Sequence, residues 1–143
     1  MKILFFVNPF ETHGIPLNIA KGLVQKLPNM VSALSQKGAQ VDLLTSINAL
    51  TFFRDKNQNV INDFDTIFEL NTDHINTICN GYPTLGADLV ANPSPDSQTI
   101  SSARRVLEEI GCSNFYDIVI VPFSETALIK ELFPRSKTLF FET

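Results

Sequence analysis

The sequence predicts an α/β protein, a three-layer Rossmann-like fold built on a mostly parallel sheet. Short apolar runs such as residues 3–7 and 118–121 carry too little charge for strands with a wet face. The stretches between such runs place apolar residues every three or four positions, and the two patterns alternate along the chain. With 143 residues, 44% of them hydrophobic and 18% charged, a single domain spanning 1–143 is expected.

Lys2 is followed by Ile3, Leu4, Phe5, Phe6 and Val7 with no further charge, so residues 2–7 read as a strand buried on both faces and central in the sheet. Asn8, Pro9, Gly14 and Pro16 mark a loop at its carboxyl end. Ligands of open parallel sheets bind at that edge, which makes residues 8–14 the leading site candidate.

From 17 to 37, Ala20, Leu23, Val24, Leu27, Met30, Val31 and Leu34 form a stripe of helical spacing suited to lie on a sheet. Pro28 predicts a kink or two abutting helices near Leu27, because a proline ring meets the carbonyl four residues earlier. Gly38 stands where a helix stop is expected, and 40–45 reads as a second strand. Residues 2–45 thus form a strand–helix–strand unit long enough for a right-handed parallel crossover.

Patterning weakens between 46 and 96. There, 57–63 reads as a polar turn, 65–70 as a third strand, 72–75 as the start of a short helix, and 81–83 and 92–96 as loops. Beyond it, Ile100, Ala103, Val106, Leu107 and Ile110 share one side of a helix over 97–110. Arg104 and Glu108, and Arg105 and Glu109, are spaced as i,i+4 pairs on the other side, and Gly111 follows. Residues 116–121 read as a buried strand, Ser124 and Glu125 as cap and first-turn acid of a helix to Phe133, and 137–141 as a last strand after Pro134. No repeat, low-complexity tract or linker interrupts the chain.

A formal net charge of −4, with Arg104–Arg105 the one adjacent basic pair, argues against a nucleic-acid partner, which needs clustered cations. Cys79 and Cys112 have neither a CxxC spacing nor flanking histidines, and are expected to be reduced, small core residues of a cytoplasmic protein. The first apolar run is roughly a third of the length a bilayer span needs, so neither a signal peptide nor a transmembrane segment is expected.

The dinucleotide fingerprint GxGxxG belongs after the first strand, but that stretch holds Gly14 alone, and the Walker A pattern is absent. Asn8 stands where a receiver domain would carry paired carboxylates. No cofactor is therefore expected. With only His13 and His74 in the chain, a histidine-based metal site is not expected either.

His13 is the type of residue that serves as a general base near neutrality, and Glu11 would do the same if desolvated. Against this stands the plainer reading of both as solvated loop residues, of Asn8 as a turn former and of Ser124 as a helix cap. His74 falls at a helix start, where a polar residue needs no further role. Phe10 and Phe123 lie just past strand ends, where a ring can wall a pocket for an apolar or sugar face. Exposed amides at the helix start near Ser124 and Thr126 would suit a sugar hydroxyl or an anion.

The run Lys37-Gly38-Ala39-Gln40-Val41-Asp42-Leu43-Leu44-Thr45 closes the first strand–loop–helix–strand unit on a hydroxyl residue. The segments 102–109, 116–122, 124–133 and 138–143 then follow as helix, strand, helix and strand. This order resembles the amino-terminal half of GT-B glycosyltransferases over most of the chain. The resemblance implies an acceptor-binding domain, with Glu11 or His13 as catalytic base and Asn8, Phe10, Thr12, Gly14, Phe123, Ser124 and Glu142 on the substrate side. It further implies a sugar acceptor and a nucleotide-sugar donor held by a second domain, which this chain does not contain. By itself the domain is expected not to transfer sugar. The glycine-rich first loop of many members is reduced here to Gly14.

A second expectation, of another class, is a non-catalytic flavodoxin-like module that holds a small ligand or a partner protein. If the last strand is an edge, an apolar patch around Phe140–Phe141 would favour a homodimer.

Overall fold

The computed structural model describes residues 1–7, 9–10, 17–56, 62–79, 95–121 and 127–140. The described elements run β1 (Lys2–Val7), α1 (Leu17–Gln36), β2 (Gln40–Ser46), α2 (Ile47–Lys56), β3 (Thr66–Leu70), α3 (Thr72–Ile78), α4 (Ser97–Glu109), β4 (Ile118–Val121), α5 (Ala127–Leu132) and β5 (Lys137–Phe140). The five strands form one sheet in the order β3-β2-β1-β4-β5, and every pairing is parallel.

β1 is central, with two strands on either side. Its side chains alternate between two cores, which explains its unbroken apolar run. Leu4 and Phe6 join Leu44, Val119 and Val121 under residues of α3, α4 and α5, among them Ile75, Val106 and Leu128. Ile3, Phe5 and Val7 join Val41, Leu43 and Ile120 under Leu27 and Val31 of α1 and Ala49 of α2. Helices thus cover both faces, giving the three layers of a Rossmann-like fold. The order 3-2-1-4-5 is the Rossmann one. The flavodoxin order, 2-1-3-4-5, leaves a single strand outside β1.

Segment ends follow local chemistry. α1 closes at Gly38 and α4 at Gly111, whose φ values of 85° and 79° lie in the left-handed region that favours glycine. A single helix runs through Pro28 instead of two abutting ones; Leu27 and Val31, both fully buried, hold it to the sheet on either side of the ring. α2 had no clear periodic signal and was not expected. Asp65 and Asp117, one residue before β3 and β4, repeat one device. Each donates its N–H to a carbonyl of the neighbouring strand and accepts, on its carboxylate, an N–H of the same residue. Asp65 does so with Val41 and Asp117 with Lys2, both carboxylate bonds measuring 2.8 Å. Arg104 reaches Glu131 of α5 (3.6 Å) in place of the expected Glu108.

The turn expected from 57 to 63 lies outside the described residues as far as 61, as do the loops expected at 81–83 and at 92–94. Among those described, no helix is long and apolar enough to cross a membrane.

Candidate functional site

β1 connects to β2 over one face of the sheet, and β4 to β5 over the other, since α1 packs in the core of Ile3, Phe5 and Val7 and α5 in the core of Leu4 and Phe6. The winding therefore reverses between the adjacent strands β1 and β4, whose register pairs Phe5 with Ile120. The crevice outside the carboxyl ends of two strands at such a reversal is where open α/β sheets bind ligands. β1 ends at Val7 and β4 at Val121, so this is the candidate site.

Its sequence-predicted residues Asn8, Glu11, Thr12, His13, Gly14, Phe123, Ser124 and Glu142 lie outside the described residues, as do Thr126 and Phe141. Phe10 is described and is fully buried. Its ring meets Phe6 edge-on, 5.7 Å between centroids at 72°, within the core that Leu4 and Phe6 share.

Polar residues along the rest of this edge are engaged in holding the backbone. Thr45, fully buried at the end of β2, donates its hydroxyl to the carbonyl of Val7 at 2.8 Å. Ser46 accepts the N–H of Ala49 at 3.1 Å and caps the start of α2. Asn71 and His74 form a reciprocal capping box at the start of α3: Oδ1 of Asn71 accepts the His74 N–H at 2.9 Å, and Nδ1 of His74 accepts the Asn71 N–H at 3.2 Å. His74 thus has a capping role. Asp96 caps α4 by accepting the Thr99 N–H at 2.7 Å, and that backbone bond leads the interactions that hold its carboxyl below the ordinary value.

The opposite, amino-terminal edge carries a cluster that sequence reasoning missed. Asp42, only 2% exposed, accepts the Tyr116 hydroxyl at 2.7 Å and the Gln40 amide at 3.2 Å on Oδ2. Oδ1 has no partner among the described residues. Burial pushes the Cys112 thiol up to about 12, with the nearby Asp42 charge acting in the same direction. Burial, reinforced by the bond to Asp42, likewise raises the Tyr116 phenol. The alternation of residues 40–45 could have flagged Asp42 as inward-pointing; nothing local pointed to Tyr116 as its partner.

Cys79 and Cys112 are both free thiols, Cys112 buried and Cys79 half-buried against the same core. Among the described residues no group of three His, Cys, Asp or Glu side chains could hold a metal ion. No protein-family model matches this chain, and no curated protein or solved structure matches it either.

Proposed function

We propose that this chain is the acceptor-side domain of a nucleotide-sugar-dependent glycosyltransferase of the GT-B type, acting in polysaccharide or glycoconjugate synthesis. The observation that carries the reading is the reversal of the sheet's winding between β1 and β4, the kind of place at which open α/β sheets bind ligands. The order of elements from β1 to β5 supports it, since it follows the run expected of such a domain.

In this reading the acceptor sits at the carboxyl ends of β1 and β4. Glu11 or His13 takes the proton from an acceptor hydroxyl as that oxygen attacks the anomeric carbon. The bond from that carbon to the diphosphate oxygen breaks, and the nucleoside diphosphate leaves with its electron pair. The donor is held by a second domain.

The test joins the chain to its natural downstream sequence and follows nucleoside diphosphate release from a panel of nucleotide sugars. Glu11→Gln or His13→Ala is expected to lower the rate by about a hundredfold or more, the usual weight of a general base. Rates within about threefold of the parent for both would remove both residues from that role. A parent that releases no diphosphate from any donor overturns the reading in favour of a binding module.

A further inference from the structure

We propose that the buried bond between Tyr116 and Asp42 is a register lock: it selects how far β4 stands along β1, and with that the stagger of their carboxyl ends at the candidate crevice. This role is independent of the glycosyltransferase reading.

A strand with one wet face has its register fixed by its own pattern, because a slip of one residue turns its apolar set to solvent. β1 and β4 lack that safeguard. Ile3, Phe5 and Val7 enter one core and Leu4 and Phe6 the other, while Ile118 and Ile120 face the first and Val119 and Val121 the second. A one-residue slip of β4 would exchange isoleucines for valines, a methylene at each place, and leave both cores apolar. Apolar burial thus selects the observed register, Leu4 with Val119 and Phe5 with Ile120, only weakly.

The amino-terminal ends of the strands supply what the apolar runs lack. Asp42 is the one charged residue in the buried set of described residues, and Tyr116 is buried with it. The Tyr116 hydroxyl reaches past β1 to Oδ2 of Asp42 at 2.7 Å. Strands rise about 3.3 Å per residue, so a slip of one residue carries the hydroxyl out of hydrogen-bonding range or turns its ring to the other face. Oδ2 would then keep the Gln40 amide at 3.2 Å, while Oδ1 already has no partner among the described residues. An underpaired buried carboxylate is costly, so the slipped registers are the ones penalised. Beside it, Asp117 holds the same strand end: its N–H donates to the Lys2 carbonyl at 2.9 Å, and its Oδ2 accepts the Lys2 N–H at 2.8 Å. Replacing both members of a buried polar pair by apolar groups costs a core little, so what this pair adds is selection of one arrangement. The effect reaches the far edge, because β1 ends at Val7 and β4 at Val121, and a slip would move one end against the other by about 3.3 Å.

The experiment compares the parent with Asp42→Val/Tyr116→Phe, which removes both polar groups, and with Tyr116→Phe alone. Amide contacts across β1 and β4 are read by nuclear Overhauser spectroscopy, and stability by urea denaturation. The parent should give one set of contacts, Leu4 with Val119 and Phe5 with Ile120. In the double variant a second set, with Leu4 against Ile118 or Ile120, is expected in about a tenth of the molecules or more, since one lost buried hydrogen bond shifts a ratio of states by roughly tenfold. Its urea midpoint should lie at or above that of Tyr116→Phe, in which the carboxylate stays behind without its donor.

A single native set of contacts in the folded double variant overturns the proposal, because the bond would then serve stability alone. Should the double variant not fold, Tyr116→Phe decides in its place, since it loses the bond and keeps the ring. A second set of contacts there supports the lock, and a single native set overturns it.

Discussion

Tyr116 donates its hydroxyl to Oδ2 of Asp42 at 2.7 Å, a bond that reaches from the residues before β4 to β2 with β1 between them. Around it the core is aromatic. Tyr116 meets Phe133 edge-on, Phe133 meets Phe6, and Phe6 meets Phe10, so a row of rings runs from the buried carboxylate to the strand end beside the candidate crevice. Lys2 lays its ammonium over the Tyr116 ring, 5.1 Å from the centroid. A buried carboxylate with no ion-pair partner among the described residues depends on such hydrogen bonds for its place in the core.

Removing the donor leaves Oδ2 with Gln40 alone. Tyr116→Phe is therefore expected to destabilise the fold by about 1–3 kcal/mol. Asp42→Asn keeps an acceptor for the hydroxyl and removes the buried charge, and should stay within about 1 kcal/mol of the parent. Urea denaturation at neutral pH measures both. A larger loss for Asp42→Asn than for Tyr116→Phe would mean that the charge, not the hydrogen bond, holds the cluster.

The thiol and phenol of the cluster predict an alkaline weakness. Both groups have folded values raised above their unfolded ones, so the folded state holds protons that the unfolded state has released. The stability this represents is complete below the unfolded values and is lost as pH rises through them. For Cys112 the window runs from about 9 to about 12, with an upper bound of the order of 4 kcal/mol at about 1.4 kcal/mol per unit. Tyr116 extends the same trend above its ordinary value of 10.0. Denaturation series at increasing pH should show stability falling from about pH 9 onward, and Cys112→Ala should flatten the first part of the fall. An alkaline limb identical in Cys112→Ala would assign the effect elsewhere.

The same burial orders the two thiols in reactivity. Native protein treated with a disulfide reagent at pH 8 should label Cys79 first, and Cys112 only on unfolding, because the thiolate is the reacting form and Cys112 is both buried and held protonated. Prompt labelling of Cys112 would show that the loop around it opens readily.

Gly111→Ala tests the end of α4. A Cβ there would meet no atom within 4 Å, so the substitution carries no clash and its effect comes from the φ of +79° alone. The expected loss is about 1 kcal/mol. Gly38→Ala, with the same open space at φ +85°, should behave alike in thermal unfolding.

The fold was legible to the extent that burial is periodic. The run from Ile3 to Val7 announced a central strand because it must satisfy two cores at once, and it does so with alternate residues. The stripes of α1 and α4 and the glycines at 38 and 111 announced their helices and ends. α2 stayed hidden because its apolar and polar residues do not separate into two faces; what the structure shows at its start is the Ser46 cap and Ala49 in the core. The expected pairs Arg104–Glu108 and Arg105–Glu109 came from spacing along a helix. Only the approach of α5 could show that Arg104 turns to Glu131. Of the candidate site, the sequence indicated the edge, because turn residues follow β1. It could not indicate Thr45, whose hydroxyl finds its acceptor 38 residues away.

The chain by itself determined that strands and helices alternate, that β1 is buried on both faces and that its trailing loop is polar, because propensity and periodicity are local properties. The tertiary structure alone decided the order β3-β2-β1-β4-β5, and with it the reversal beside β1. It also decided the pairing of Asp42 with Tyr116, 74 residues apart. Such contacts depend on which surfaces bury one another, and no window of neighbouring residues contains that information.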